Sequence, residues 1–389
     1  MRRAPLLALA VLLLPMPCNA QNDATWQSAT ATLDDYVAKD RVVGSALVLI
    51  HDGEIVAEHY TGFADRSAAR GVGRETIWHW GSITKTLTAV AVMQLPANHF
   101  WADGPHEPVD LLDLQATALV NELRRVHNPF GSMDDVTIRM LLSHSSGLQD
   151  GTWPWSRGES WEPFEPTEWD QLVAMMPYMK LGFAPGSQYS YSNPAFVYLA
   201  RAMQAITGDP WQGRIYKTLL MPLAMEASYF GETPLRLRSK RSFNYTVTDS
   251  GVIDHGADFD PGITIPNGGW NAPVTDIARW LGFLMGSSNP AAQSGYDAII
   301  SRSTIEEMWQ PVVRVDDEQE MGLSFFIRHE GGRKLVGHTG TQANFRSFFW
   351  MDPATRTAVV GVVNTSNNAD PGGSARGFAA LMRTARAAL

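Results

Sequence analysis

The sequence predicts an α/β (α+β) fold in which an antiparallel sheet is formed by both chain ends and flanked by helices, with an inserted, mainly helical lobe. Three observations predict it. Strand-like runs occur near the start, helical periodicity fills the middle, and strand-like runs return before the C-terminus. At the start, VVGSALVLIHDGEIVAEHYTGFAD (42–65) holds two β-rich runs around Asp52-Gly53, a hairpin signal. At the end, MGLSFFIRHEGGRKLVGHTG, FRSFFWMD and RTAVVGVVNTS are separated by Gly331-Gly332 and Asp352-Pro353. The last run is apolar on both faces, which predicts a central strand covered on both sides.

Between these ends, Thr167–Met176, Pro194–Ile206, Val274–Leu284 and Thr304–Trp309 carry helical periodicity. The expected division is a sheet lobe at about 21–85 and 310–389 and a helical lobe at about 86–309, together one catalytic domain with a cleft between the lobes. Segments 150–166 and 243–269, rich in Gly, Pro and polar residues, are expected to be surface loops.

Arg2 and Arg3, the apolar run Leu6–Leu14 and the small-residue step Cys18-Asn19-Ala20 read as a signal peptide over residues 1–20. Export to the periplasm or the medium is therefore expected. A lipidated Cys18 is the alternative, but Pro15-Met16-Pro17 is a poor lipidation context. Cleavage after Ala20 removes Cys18, the only cysteine, and with it any thiol chemistry. A net charge of −9 without a basic cluster argues against nucleic acid as a partner. No later run is long and apolar enough to span a bilayer. The 13 Trp suit either an aromatic-lined cleft or, by ordinary usage, the core.

The chemistry centres on WHWGSITKTLTAV (78–90). A phosphate-binding loop needs Gly directly before Lys, and Thr84 stands there. Ser82 as a helix cap is a sufficient local explanation of the serine. It does not explain Lys85, because a cation in a first helical turn opposes the helix dipole. At i and i+3 the two side chains share a face, so Lys85 Nζ can reach Ser82 Oγ as a base reaches a nucleophile. Such a lysine must be neutral to accept a proton, which burial and nearby positive charge favour. The same helix start would aim the Ser82 N–H at a developing oxyanion.

Two further segments accompany it. Tyr191-Ser192-Asn193 lies just before a helix, where Tyr191 and Asn193 would point the same way, or Ser192 or Asn193 would cap that helix. His338-Thr339-Gly340 ends a strand-like run, or else makes a glycine turn closing a hairpin.

In this order, S-x-x-K, Y-x-N and [KH]-[TS]-G, the three segments resemble the penicillin-recognising serine hydrolases: class C β-lactamases, D-alanyl-D-alanine carboxypeptidases and related serine esterases. TIRMLLSHSSGL (137–148), GGWNAPVTDIARWL (269–282) and VVNTSNN (362–368) are also similar to that family, and the likeness spans about residues 30–389. The resemblance implies a β-lactamase/transpeptidase-like fold. It further implies Ser82 as nucleophile, Lys85 and Tyr191 as proton-transfer partners, and Asn193 on the substrate amide. Thr339 and Gly340 would line the substrate, and the N–H groups of Ser82 and Thr341 would form an oxyanion hole. No cofactor and no metal are implied.

The departure from the β-lactamase pattern is His338 where lysine is usual. A histidine with an ordinary pKa near 6.5 predicts carboxylate binding that strengthens as pH falls through about 6.5. Arg328, on the preceding strand, is the other candidate for that charge, or else a solvated strand residue. Lookalikes are set aside. His144 beside Ser145 and Ser146 reads as a structural turn, HEPVD (106–110) lacks the second histidine of a zinc site, and no G-x-S-x-G elbow occurs. The expected substrate is a small molecule or peptide, with a D-amino-acid peptide or an ester favoured. A true β-lactamase, or a catalytically silent penicillin- or peptidoglycan-binding protein, is the alternative.

Overall fold

The computed structural model describes residues 20–95, 110–148 and 166–389. Cys18 and all but the last residue of the expected signal peptide lie outside the described residues, as do nearly all of 150–166 and residues 106–109.

A nine-stranded sheet organises the chain. Its order is Arg70–Gly71, Glu54–Asp65, Gly44–His51, Thr357–Val363, Phe345–Asp352, Arg333–Gln342, Phe326–Glu330, Gln319–Met321 and Val313–Arg314. Every pairing is antiparallel, and the two chain ends meet where Ser45 lies opposite Val363 and His51 opposite Thr357. The Asp52-Gly53 turn has φ of 49° and 82°, positive at both positions as a two-residue hairpin between right-twisted strands requires. Strand Thr357–Val363 is fourth in the order and almost wholly buried, which matches its two-sided apolar pattern.

The sheet is covered on both faces, and strand alternation shows it. Phe348 and Trp350 join Leu47, Leu335 and Val359 against Leu33 and Tyr36 of helix Ala20–Asp40 and Phe378 and Leu381 of helix Pro371–Arg386. Phe349 and Met351 join Val48, Val336 and Val360 on the opposite face, with helix Val274–Met285. A one-residue slip would exchange these two sets and force each to repack against helices shaped for the other, so the register of Arg333–Gln342 is fixed by packing on both faces.

Helices Trp169–Met175, Asn193–Thr207, Val274–Met285 and Arg302–Glu307 occupy the expected places to within a few residues. Two small sheets were not expected. One pairs Ile77–His79 with Trp270–Pro273 and Tyr229–Phe230, and the other joins Thr365–Asn367, Tyr245–Thr248 and Gly251–Asp254. The expectation of a surface loop over 243–269 therefore fails, since Tyr245 and Val247 are buried. Strands of two to four residues are too short to show a period of two, and their partners lie far away in sequence, as with Ile77 opposite Pro273. Trp78, Trp80, Trp211, Trp270, Trp280, Trp309 and Trp350 are buried, which decides for the core use of most described tryptophans.

Candidate active site

Ser82 sits in a single 3-10 turn, Gly81–Ile83, that leads into helix Thr84–Met93. No side chain caps either element, so Ser82 is not a helix cap. Thr84 does the local stitching: its hydroxyl donates to the Gly81 carbonyl at 2.6 Å and accepts from the Trp270 N–H at 3.0 Å. The turn is also anchored through Trp80. Its N–H donates to the Trp270 carbonyl, its indole to the Ala272 carbonyl, and its own carbonyl accepts from Ser347 Oγ. The following helix is buried on nearly all sides, which draws Lys85 wholly into the protein.

Lys85 Nζ donates at 3.0 Å to Ser82 Oγ, at 2.7 Å to Asn193 Oδ1 and at 2.9 Å to the Asn267 carbonyl. It also lies 4.8 Å from the centre of the Tyr191 ring. Asn193 Oδ1 accepts a second bond from Asn267 Nδ2 at 3.1 Å, which turns the Asn193 Nδ2 end away from this hub. Ser192 caps helix Asn193–Thr207 by accepting the Ala195 N–H, so the segment both starts a helix and presents Asn193. Ser82, Lys85, Tyr191 and Asn193 are thus brought together from two separate stretches of chain, with Asn267 joining them from a third.

The third segment lies within strand Arg333–Gln342, not in a turn. A Cβ on Gly340 would stand 2.0 Å from the Trp80 carbonyl oxygen, and one on Gly81 would stand 2.9 Å from Thr341 N. Only bare glycine backbones let the Ser82 turn approach the strand this closely, and the approach puts the Thr341 N–H beside that turn. Thr339 is half-buried and Thr341 exposed.

Two expectations at this end are corrected. His338 is fully buried, its Nδ1–H donates to the Thr339 carbonyl at 2.6 Å, and its pKa is lowered to about 3 by burial and by the charge of Lys85. It stays neutral through pH 6.5 and cannot offer a charge to a carboxylate there. Arg328 is bound instead to Glu318 and Glu330, and Glu330 also pairs with Arg386 of the C-terminal helix. The charge of that arginine is engaged between sheet and C-terminal helix, where the expectation had it facing a substrate carboxylate.

Sequence reasoning missed Asn267, which works through a backbone carbonyl and an amide, and no local pattern marks such a role. It also missed the support beneath the third strand. Gln342 Nε2 donates to Thr264 Oγ1, and Gln342 Oε1 meets His79 Nε2 at 3.0 Å. Gly81→Ala is expected to lower stability by about 1–2 kcal/mol, because φ at Gly81 is 53°, and to slow acylation by displacing Thr341 N. Urea unfolding and single-turnover kinetics check both effects, and full acylation in a folded variant would show that the Gly81–Thr341 approach is dispensable.

Fold and site define a serine hydrolase of the S-x-x-K kind. The chain belongs to the beta-lactamase family, whose sequence profile matches residues 29–382. It is 31% identical over 208 residues to the esterase EstB of Burkholderia gladioli, covering 50% of this chain and 49% of that one. It is 26% identical over 335 residues to a D-aminopeptidase of Brucella ovis, covering 84% of this chain and 57% of the relative. The chain thus spans about half the length of these curated relatives. A class C beta-lactamase structure superposes with a TM-score of 0.73 at 17% identity, covering 95% of this chain and 97% of the other, a likeness of fold. No helix among the described residues is long and apolar enough to cross a membrane.

Proposed function

We propose that the chain is an exported serine hydrolase that cleaves esters or D-amino-acid peptides through an acyl-enzyme on Ser82. The observation that carries this reading is the arrangement around Lys85 Nζ. Two of its partners, Asn193 Oδ1 and the Asn267 carbonyl, are amide oxygens that only accept, and so they hold two N–H bonds in place. Nζ also lies 3.0 Å from Ser82 Oγ, within reach of proton transfer. Lys85 is thereby held where it can exchange a proton with the nucleophile.

In the acylation step, Ser82 Oγ attacks the substrate carbonyl carbon as its proton passes to Lys85 Nζ or the Tyr191 phenolate. The carbonyl oxygen takes up the negative charge opposite the N–H groups of Ser82 and Thr341, each such donor being worth about 2.7–4 kcal/mol of barrier. Collapse breaks the bond to the leaving group, which departs with the proton, and the Asn193 amide holds the acyl side. Water then repeats the sequence on the acyl-enzyme and restores Ser82. Tyr191 and Lys85 exchange protons as a coupled pair.

Esters and D-peptides are favoured over β-lactams because the third segment presents a neutral, buried histidine where a lysine would offer a cation. The names of the esterase and D-aminopeptidase relatives support the same substrate classes. Among the described residues, strand Arg333–Gln342 has no strand partner beyond Gly337 on the side of Phe326–Glu330, an edge suited to an extended peptide. Export to the periplasm or the medium rests on residues 1–20.

Intact-mass measurement after reaction with a p-nitrophenyl ester, a D-alanine anilide and a penicillin tests the reading. Ester and D-anilide are expected to turn over through an adduct on the Ser82 peptide, and the penicillin to turn over poorly. Anionic and neutral substrates should share one pH profile between pH 5.5 and 8, because His338 does not titrate there. A penicillin kcat/KM above those of the other two would replace this reading with a β-lactamase.

A further inference from the structure

His144 lies in LLSHSSGL (141–148), outside the three motifs, and its φ is 58°. A left-handed backbone at a residue with a side chain costs roughly 1–3 kcal/mol and persists only where its surroundings hold it. The segment around Tyr191 is what it meets. The Ser190 N–H donates to the His144 carbonyl at 2.9 Å, and the Ser192 N–H donates to His144 Nδ1 at 3.0 Å. Those two donors flank Tyr191 on either side. The imidazole itself is fully buried and stacked on the Tyr191 ring, with centroids 4.4 Å apart and planes 24° apart. Phe196 backs the imidazole with ring centroids 5.2 Å apart, and Tyr189 meets it edge-on at 6.0 Å.

We infer that His144 is the positioning residue for Tyr191: it fixes the backbone on both sides of that tyrosine and the plane of its ring, and so sets where the phenol oxygen stands relative to Lys85 and Ser82. The inference rests on the reading in which Tyr191 shares in proton transfer. Nδ1 accepts, so the ring hydrogen is on Nε2 and the imidazole is neutral. Burial, then Lys85 and His338, holds its pKa well below the ordinary histidine value, which keeps the Nδ1 acceptor in place. His144 touches neither Ser145 nor Ser146 as a base would; its imidazole Nδ1 and its carbonyl both accept from the Tyr191 segment. The chain uses a strained residue as a mould for a loop that has to hold a reactive phenol steady.

Two substitutions separate the contributions. His144→Phe keeps an aromatic ring and removes the acceptor, whereas His144→Asn offers an oxygen near the Nδ1 position, tolerates the left-handed backbone and removes the stack. Each is made in the wild type and in Tyr191→Phe, with circular dichroism as the check of folding and acylation by a neutral p-nitrophenyl ester as the readout. His144→Phe is expected to slow acylation by about 10²-fold and His144→Asn by about 10-fold, with KM nearly unchanged, as displacement of a catalytic group predicts. In the Tyr191→Phe background neither should slow it further by more than about twofold, because both act through the missing hydroxyl. If the losses instead multiply in full, or if the folded variants acylate at the wild-type rate, His144 does not act through Tyr191 and the inference fails while the functional reading stands. If Tyr191→Phe alone acylates at the wild-type rate, the functional reading of Tyr191 has failed and the inference with it. Should His144→Phe not fold, His144→Asn decides alone by the same comparison.

Discussion

Ser82→Ala is expected to lower kcat/KM for an activated ester by about 10⁴–10⁶-fold, the range seen when a hydrolase loses its nucleophile or its partner. Its stability should hardly change. Ser82 Oγ caps no helix, and the turn keeps the Thr84, Trp80 and Ser347 bonds that hold it. Lys85 Nζ loses one acceptor and retains Asn193 Oδ1 and the Asn267 carbonyl, a loss of about 1 kcal/mol. Lys85→Met is the companion variant. It should slow acylation by about 10²–10⁴-fold, the usual size of an acid–base contribution, and leave the Ser82 hydroxyl in place but unactivated. Single-turnover kinetics with intact-mass detection measures both. If Ser82→Ala still forms a covalent adduct at the wild-type rate, the nucleophile lies elsewhere and the Lys85 arrangement is only a buried structural network.

The parts of this site that were legible in the sequence are those whose chemistry is local. Ser82 and Lys85 share a helix turn, so their spacing alone brings them into reach, and a lysine in a first helical turn already breaks a local rule. The alternation in FRSFFWMD and the two-sided apolar run before Asn364 are one-dimensional signals of faces, and they place the sheet. What stayed hidden depends on approach between distant segments. The neutrality of His338 follows from burial and from Lys85, more than two hundred residues away, and nothing in VGHTG announces either. Arg328 reads as available until Glu318 and the C-terminal helix with Arg386 are brought beside it. The carbonyl of Asn267 and the left-handed backbone of His144 belong to the main chain, which carries no sequence signature at those positions. Short strands such as Tyr229–Phe230 are set by their partners and not by their own composition.

Acidification should destabilise the protein well above the range in which carboxylates titrate. His79, His144 and His338 are all fully buried. His79 lies between Asn271 Oδ1 and Gln342 Oε1, contacts that favour a proton, yet burial and Arg241 outweigh them and lower its pKa to about 4. His144 lies well below 6.5 and His338 at about 3, for the reasons given above. In the unfolded chain each would titrate near 6.5. Below that pH the unfolded state binds a proton per histidine that the folded state does not, so unfolding free energy rises with pH and falls as pH drops. The loss begins near pH 6.5 and continues until the folded-state values of about 4 and about 3 are reached. Its slope is about 1.4 kcal/mol per pH unit for each histidine, approaching about 4 kcal/mol per unit for three, against a total stability of about 5–15 kcal/mol. Carboxylates enter later. Burial raises Glu330, but hydrogen bonds from Arg386 and Arg328 outweigh it and hold its carboxyl below the usual range, so its contribution is lost only as pH falls below the ordinary carboxylate value, after the histidine loss has begun. Urea unfolding at pH 7.5, 6.5 and 5.5 should therefore show a falling midpoint at constant m-value, with proton uptake on unfolding approaching three at the lowest pH. His79→Gln should remove about a third of the slope, because it removes one of the three protons. An unfolding free energy that is flat from pH 7.5 to 5.5 would mean that these histidines are already charged in the folded protein, and His338 would again be a candidate partner for a substrate carboxylate.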